Sequence, residues 1–230
     1  MDGSLTRIQK RIQKRERRCD NLIFFGFTSD QIDEMVGKFP GLLEYSIERI
    51  NSKLQNLMDY GFTKDQVIKM AHKTPSILAC TIERTNDILD NLTDYGFTKP
   101  QVIKMAHLMP PILACTIERT NDILDNLTDY GFTKPQIIKM VYKMPPILGC
   151  SIKRTSKQIE WFRHHKILVD LVENPFRLIM SIKTLEARRQ ELEKLDFDYI
   201  QNDKVLFKKK ETWENFIVKL RSQNPSFSSQ

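Results

Sequence analysis

The sequence predicts an all-α fold, an α-solenoid superhelix built from tandem 35-residue units. Three observations predict it. Gly26, Gly61, Gly96 and Gly131 are each 35 residues apart. Pro40, Pro75, Pro110 and Pro145 keep the same spacing, and Thr81–Gln101 recurs unchanged as Thr116–Gln136. A period of this length describes units that bury their apolar faces against neighbours, so function is expected in columns of equivalent residues rather than in one pocket.

The unit that begins at Gly61 shows how each element is encoded. Thr63 stands before a helical pattern with Gln66 three residues on, the signature of a capping box. The same pair recurs as Thr28/Gln31, Thr98/Gln101 and Thr133/Gln136, and Pro100 and Pro135 fall in the first turn, where a missing N–H is harmless. Val67, Met70 and Ala71 give one apolar face, and the helix must end before Pro75. Pro75–Cys80 is too short for a full helix and reads as a buried single turn of 3₁₀ type. Thr81 then caps a second helix, as Ser46, Thr116, Ser151 and Ser181 do in their units. Its inner stripe is Ile82, Thr85, Ile88 or Leu89, and Leu92, and Gly96 ends it in left-handed backbone.

Three segments follow from this pattern. Residues 1–24 form a basic segment that includes a partial first unit, with Ile12, Cys19 and Leu22 aligned to Ile47, Leu54 and Leu57. Residues 25–200 form the repeat array. Residues 201–230 form a basic cap and, from Pro225, a disordered tail. After Ser151 the spacing slips, because Pro175 follows Pro145 by 30 residues and no Gly-Phe-Thr precedes it. Asp196 stands where a glycine is expected, which argues against a regular turn there.

Charge is concentrated at the ends. Of a net +7, residues 1–24 carry seven basic against three acidic residues, and the long middle is balanced. Basic ends suit a polyanion. No apolar run approaches the roughly 20 residues that a membrane helix needs, and the basic start lacks the apolar stretch of a secretory signal. Cys80, Cys115 and Cys150 share one repeat position and read as small core residues rather than zinc ligands, which must converge on one point. His72 and His107 are equivalent, and Tyr142 replaces them, so they read as packing or surface residues. No catalytic constellation and no phosphate-binding glycine loop is present, so neither enzyme activity nor a cofactor is expected.

Basic columns remain. Arg49, Arg84, Arg119 and Arg154 form one near the start of each second helix. Lys69, Lys104 and Lys139 form another on the first helix, with Lys73 and Lys143 four residues on. Lys64, Lys99 and Lys134 line its cap, and Arg11, Lys14 and Arg15 stand in the basic N-terminal segment. A column that tracks a phosphate backbone gains affinity by counterion release without reading sequence. Acidic residues such as Glu48, Glu83 and Asp94 run beside these columns, as on an ordinary solvated face. The identical units predict a diffuse sequence preference.

Lys38-Phe-Pro-Gly-Leu-Leu, Lys73-Thr-Pro-Ser-Ile-Leu, Leu108-Met-Pro-Pro-Ile-Leu, Lys143-Met-Pro-Pro-Ile-Leu and Glu173-Asn-Pro-Phe-Arg-Leu, each followed by a Ser/Thr cap and most preceded by Gly-Phe, resemble the repeat of the mitochondrial transcription termination factor (mTERF) family over roughly residues 8–200. The resemblance implies two α-helices and a 3₁₀ helix per repeat, wound into a left-handed superhelix whose groove binds nucleic acid in transcription termination, organelle gene expression or ribosome assembly. Gly61–Ala71 is also similar to the start of a transcription activator-like (TAL) effector repeat. The expected ligand is double-stranded DNA bound by a monomer, with RNA or a protein partner on an α-solenoid scaffold as alternatives. The family resemblance implies a mitochondrion or plastid; a bacterial cytoplasm, or delivery to a host nucleus, is the alternative.

Overall fold

The structure is a computed structural model that describes residues 6–167 and 170–223. It divides into two compact units, Met1–Thr120 and Asn121–Gln230. No strand occurs among the described residues.

The first unit holds α1 (Arg7–Phe25), α2 (Ser29–Lys38), α3 (Ile47–Tyr60), α4 (Lys64–Lys73), α5 (Ile82–Asp94) and α6 (Lys99–Leu108). The 3₁₀ turns Pro40–Glu44, Pro75–Leu78 and Pro110–Ala114 separate first helices from second helices. The division falls inside α7 (Ile117–Asp129). The second unit continues with α8 (Lys134–Lys143), α9 (Ile152–His164), α10 (Ile182–Lys194) and α11 (Lys210–Gln223), with 3₁₀ turns at Pro145–Gly149, Pro175–Ile179 and Asp203–Phe207.

Local chemistry accounts for each boundary. Thr63 Oγ1 accepts from the Gln66 N–H at 3.2 Å and Gln66 Oε1 accepts from the Thr63 N–H at 2.9 Å, so two orphan donors of α4 are satisfied reciprocally. The same box opens α2, α6 and α8. Ser46, Thr81, Thr116 and Ser151 accept from the N–H three residues on, as expected of caps. Ser181 does not; its side chain makes no cap bond, although α10 still begins at the next residue.

The core is a stack of apolar columns. Val67, Met70, Ala71, Ile77, Leu78, Ile88, Leu89 and Leu92 are buried, and their copies from Val102 to Leu113 repeat the pattern. Each such leucine or isoleucine contributes about 1.5–3 kcal/mol on burial. First helices α2, α4 and α6 pack side by side, as do the successive 3₁₀ turns of the first unit. Second helices are joined by a polar ladder: Asn21 with Asn51 (2.8 Å), Asn56 with Asn86 (3.1 Å), and in the second unit Asn126 with Ser156 (3.1 Å).

Two expectations are corrected. Ile12 aligns with Ile82 of the inner stripe but is 53% exposed; its equivalents Ile47 and Ile82 are only half-buried, so this position lies at the edge of the stripe, while Leu22, near the other end of α1, is buried. Asp196 does form the turn that its side chain argued against. It adopts φ +50, and Lys166 adopts φ +51 at the position equivalent to Gly131. Asparagine and aspartate tolerate this backbone better than most residues, while lysine has no such advantage. The tail from Pro225 lies outside the described residues.

Candidate nucleic-acid interface

The arginine column has a structural task. Arg49 donates from Nη2 to the Ala79 carbonyl at 2.8 Å, and Arg84 donates to the carbonyls of Ala114 (2.6 Å) and Cys115 (3.4 Å). In the second unit Arg154 donates to the Ile179 carbonyl. Each acceptor at Ala79, Ala114 and Ile179 lies four residues after the proline of the next 3₁₀ turn. The carbonyls at the end of a helical turn lack intrahelical partners and carry partial negative charge, which a cation there satisfies. Arg119 is exposed at the same repeat position.

These contacts fix the guanidinium without cancelling its charge. A carbonyl is neutral, and a guanidinium carries five N–H donors, so the fork keeps charge and donors for a second acceptor. All four column arginines are exposed.

The lysines divide by partner. Lys73 Nζ donates to the Leu108 carbonyl at 2.8 Å. Lys143 Nζ donates to the Glu173 carbonyl at 3.2 Å and to its carboxylate at 2.6 Å, and Lys139 pairs with the same carboxylate. These two ammonium groups hold the Glu173 carboxyl down to about 2. Lys69 and Lys104 are exposed. Of the cap lysines, Lys64 lies 5.3 Å from the Phe25 ring centre and Lys99 lies 4.8 Å from that of Tyr60, so their stems cover aromatic surface.

Arg11, Lys14 and Arg15 are exposed on α1. Together with Arg18 they line one side of an open cleft of ≈ 420 Å³, whose other side is Val36, Pro40, Leu43 and Glu44. Arg18 itself donates to the Leu43 carbonyl and, at 3.1 Å, to that of Glu44.

A second clamp column escaped the sequence reading. Arg18 is equivalent to Lys53, which is 1% exposed and whose ammonium donates to the Thr81 carbonyl (3.0 Å) and the Thr85 hydroxyl. Ile88 and Ile123 fill this position in the regular repeats. Gln158 and Arg188 return to polar chemistry there, bonding the Arg177 carbonyl (3.2 Å) and the carbonyls of Leu206 and Lys208 (both 2.7 Å). The signal was available: a polar residue in an otherwise apolar column.

The cysteines behave as small packing residues. Cys80, Cys115 and Cys150 each donate weakly to the carbonyl four residues back, and burial raises the Cys115 thiol. No cluster of three metal-ligating side chains occurs among the described residues. No helix among them is long and apolar enough to cross a membrane.

Helix, 3₁₀ turn and capped second helix, repeated and laced by cations onto main-chain carbonyls, define an all-α repeat solenoid. The mTERF family model matches residues 49–214, and the chain belongs to that family. No curated protein matches the sequence. The family is one of nucleic-acid-binding helical repeat proteins and is generally non-enzymatic.

Proposed function

We propose that this protein binds double-stranded DNA through α1 and the arginine column and thereby regulates transcription. The observation that carries the reading is charge left uncancelled. Arg49, Arg84 and Arg154 are held by neutral carbonyls, and Arg11, Lys14 and Arg15 are exposed to solvent. A cation already fixed in place loses less conformational entropy when it meets a phosphate. Phosphate contacts of this kind position the duplex and release counterions, so affinity falls steeply with salt.

The test is a salt titration of binding to duplex DNA, single-stranded DNA and RNA of matched length. Duplex should bind most tightly, with a log–log slope of several units. Changing Arg11, Lys14 and Arg15 together to Ala should reduce that slope by about two to three units while leaving the melting temperature unchanged. A triple variant that binds like the wild type removes α1 from the interface. Tighter binding to RNA would replace the DNA assignment.

A further inference from the structure

We propose that Lys69 and Lys73 form a clamp for one backbone phosphate of the bound nucleic acid, and that Glu173 is the chain's own stand-in for that phosphate at the equivalent pair Lys139 and Lys143. The inference rests on the proposed nucleic-acid reading and assigns one subsite within it.

The two pairs are built alike. Each lies four residues apart on a first helix, α4 or α8, so both ammonium groups share one face. In each, the second lysine donates to the carbonyl of the residue two before the next 3₁₀ proline: Lys73 to Leu108 at 2.8 Å, Lys143 to Glu173 at 3.2 Å. That shared contact aligns the two sites. What differs is the side chain at the acceptor position.

In the second unit that side chain is a carboxylate, and it bridges both lysines. Two oxygens sharing negative charge between two ammonium groups is also the arrangement a phosphodiester presents. In the first unit the position is Leu108, an apolar side chain left 49% exposed. Lys69 is exposed and makes no ion pair or hydrogen bond among the described residues. On α2 the equivalent of Lys69 is Glu34, which meets His72 at 2.8 Å and Lys38 at 3.4 Å, so that place is also satisfied from within. Among these three, Lys69 and Lys73 alone have no acid supplied by the chain.

The same comparison makes Glu173 a competitor. Its carboxylate holds the place at Lys139 and Lys143 that a phosphate would take, and stays ionised well below neutral pH.

Four variants of the full chain decide the matter, each titrated with salt against one duplex. Lys69→Gln should lower the log–log slope by about one unit. Leu108→Glu should lower it by about one to two units, whereas Leu108→Gln should leave it unchanged. Glu173→Gln should raise it by about one unit by releasing the second pair. Melting temperatures check that all four remain folded, as expected of exposed positions. If duplex binds with its salt dependence intact but Lys69→Gln and Leu108→Glu match the wild type, the clamp is wrong and the nucleic-acid reading stands. If no salt-dependent binding occurs at all, the reading beneath it fails first. Inorganic phosphate that binds the free wild type but not Lys69→Gln, while Lys69→Gln leaves the duplex salt slope unchanged, would assign the site to a free anion and overturn the backbone assignment.

Discussion

Residues Gly61–Leu78 and residues Lys166–Leu178 make the same connection, from the end of a second helix to the next 3₁₀ turn, by different means. The first uses a glycine at φ +123, then Phe62 in the core, then the ten-residue helix α4. The second uses Lys166 at φ +51, then Ile167 in the core, and reaches Pro175 without a helix among its described residues. In the first, a Cβ on Gly61 would meet Ile103 Cδ1 of α6 at 3.2 Å. In the second unit nothing lies within 4 Å of a Cβ on Gly131, and Tyr130, Phe132, Gln136, Phe162, Arg163 and Lys166 edge an open cleft of ≈ 530 Å³. The 3₁₀ turn and the second helix persist in both.

The irregular end also exchanges apolar contacts for polar ones. Arg177 occupies the column of Ile77, Ile112 and Ile147, 4% exposed, and meets Asp203 at 2.7 Å. The polar ladder between second helices passes from amide and hydroxyl pairs to partners of Glu186 and Glu191, Trp161 with Glu186 and Arg221 with Glu191, both at 3.0 Å. Removing one partner of a buried pair strands the other, so Asp203→Ala should cost about 3–5 kcal/mol. Arg177→Ile combined with Asp203→Val should be near neutral, since well-packed apolar residues often replace such pairs without loss. Urea denaturation of single and double variants measures both. A single variant as stable as the wild type would show that the two ends are not held differently.

A smaller effect separates Lys53 from Ile88. Burial pushes the Lys53 amine from its ordinary 10.5 down to about 8. Between those values the unfolded chain holds a proton that the folded chain has lost, so stability rises with pH through that window. Comparing wild type with Lys53→Met, the difference in unfolding free energy should shift toward the wild type by about 3 kcal/mol between pH 7 and pH 10.5. A difference that does not change with pH would mean that Lys53 stays charged in its pocket. The smallest effect concerns the turns. Asp196→Gly should stabilise by up to about 1 kcal/mol by relieving left-handed backbone, and Gly61→Ala should destabilise by more than that. Thermal melts that rank these two the other way would break the equivalence of the turns.

Much of the fold is visible in the residues, because each boundary rests on local chemistry. A Thr/Gln box, a proline and a glycine act within a few positions of themselves, and the period repeats the message. The turn at Asp196 was misjudged because glycine was taken as the requirement, whereas aspartate tolerates left-handed backbone better than most residues. Ile12 was misjudged because helical spacing alone does not separate the centre of an apolar stripe from its edge, where Ile47 and Ile82 are only half-buried. The site was less legible. The basic columns could be counted, but a cation's partner lies about 30 residues away. Whether that partner is a carbonyl, as for Arg84, or a carboxylate, as for Lys139, decides whether charge remains.

The clamp arginines have a consequence for how such arrays grow. Their acceptors at Ala79, Ala114 and Ile179 are main-chain oxygens, which every amino acid possesses. A coupling addressed to the backbone is indifferent to the side chains of the module it joins. Any module can follow any other without a matching substitution, so a gene can lengthen or shorten the series by copying one unit whole. The unchanged stretch Thr81–Gln101 and Thr116–Gln136 is what such copying would leave behind.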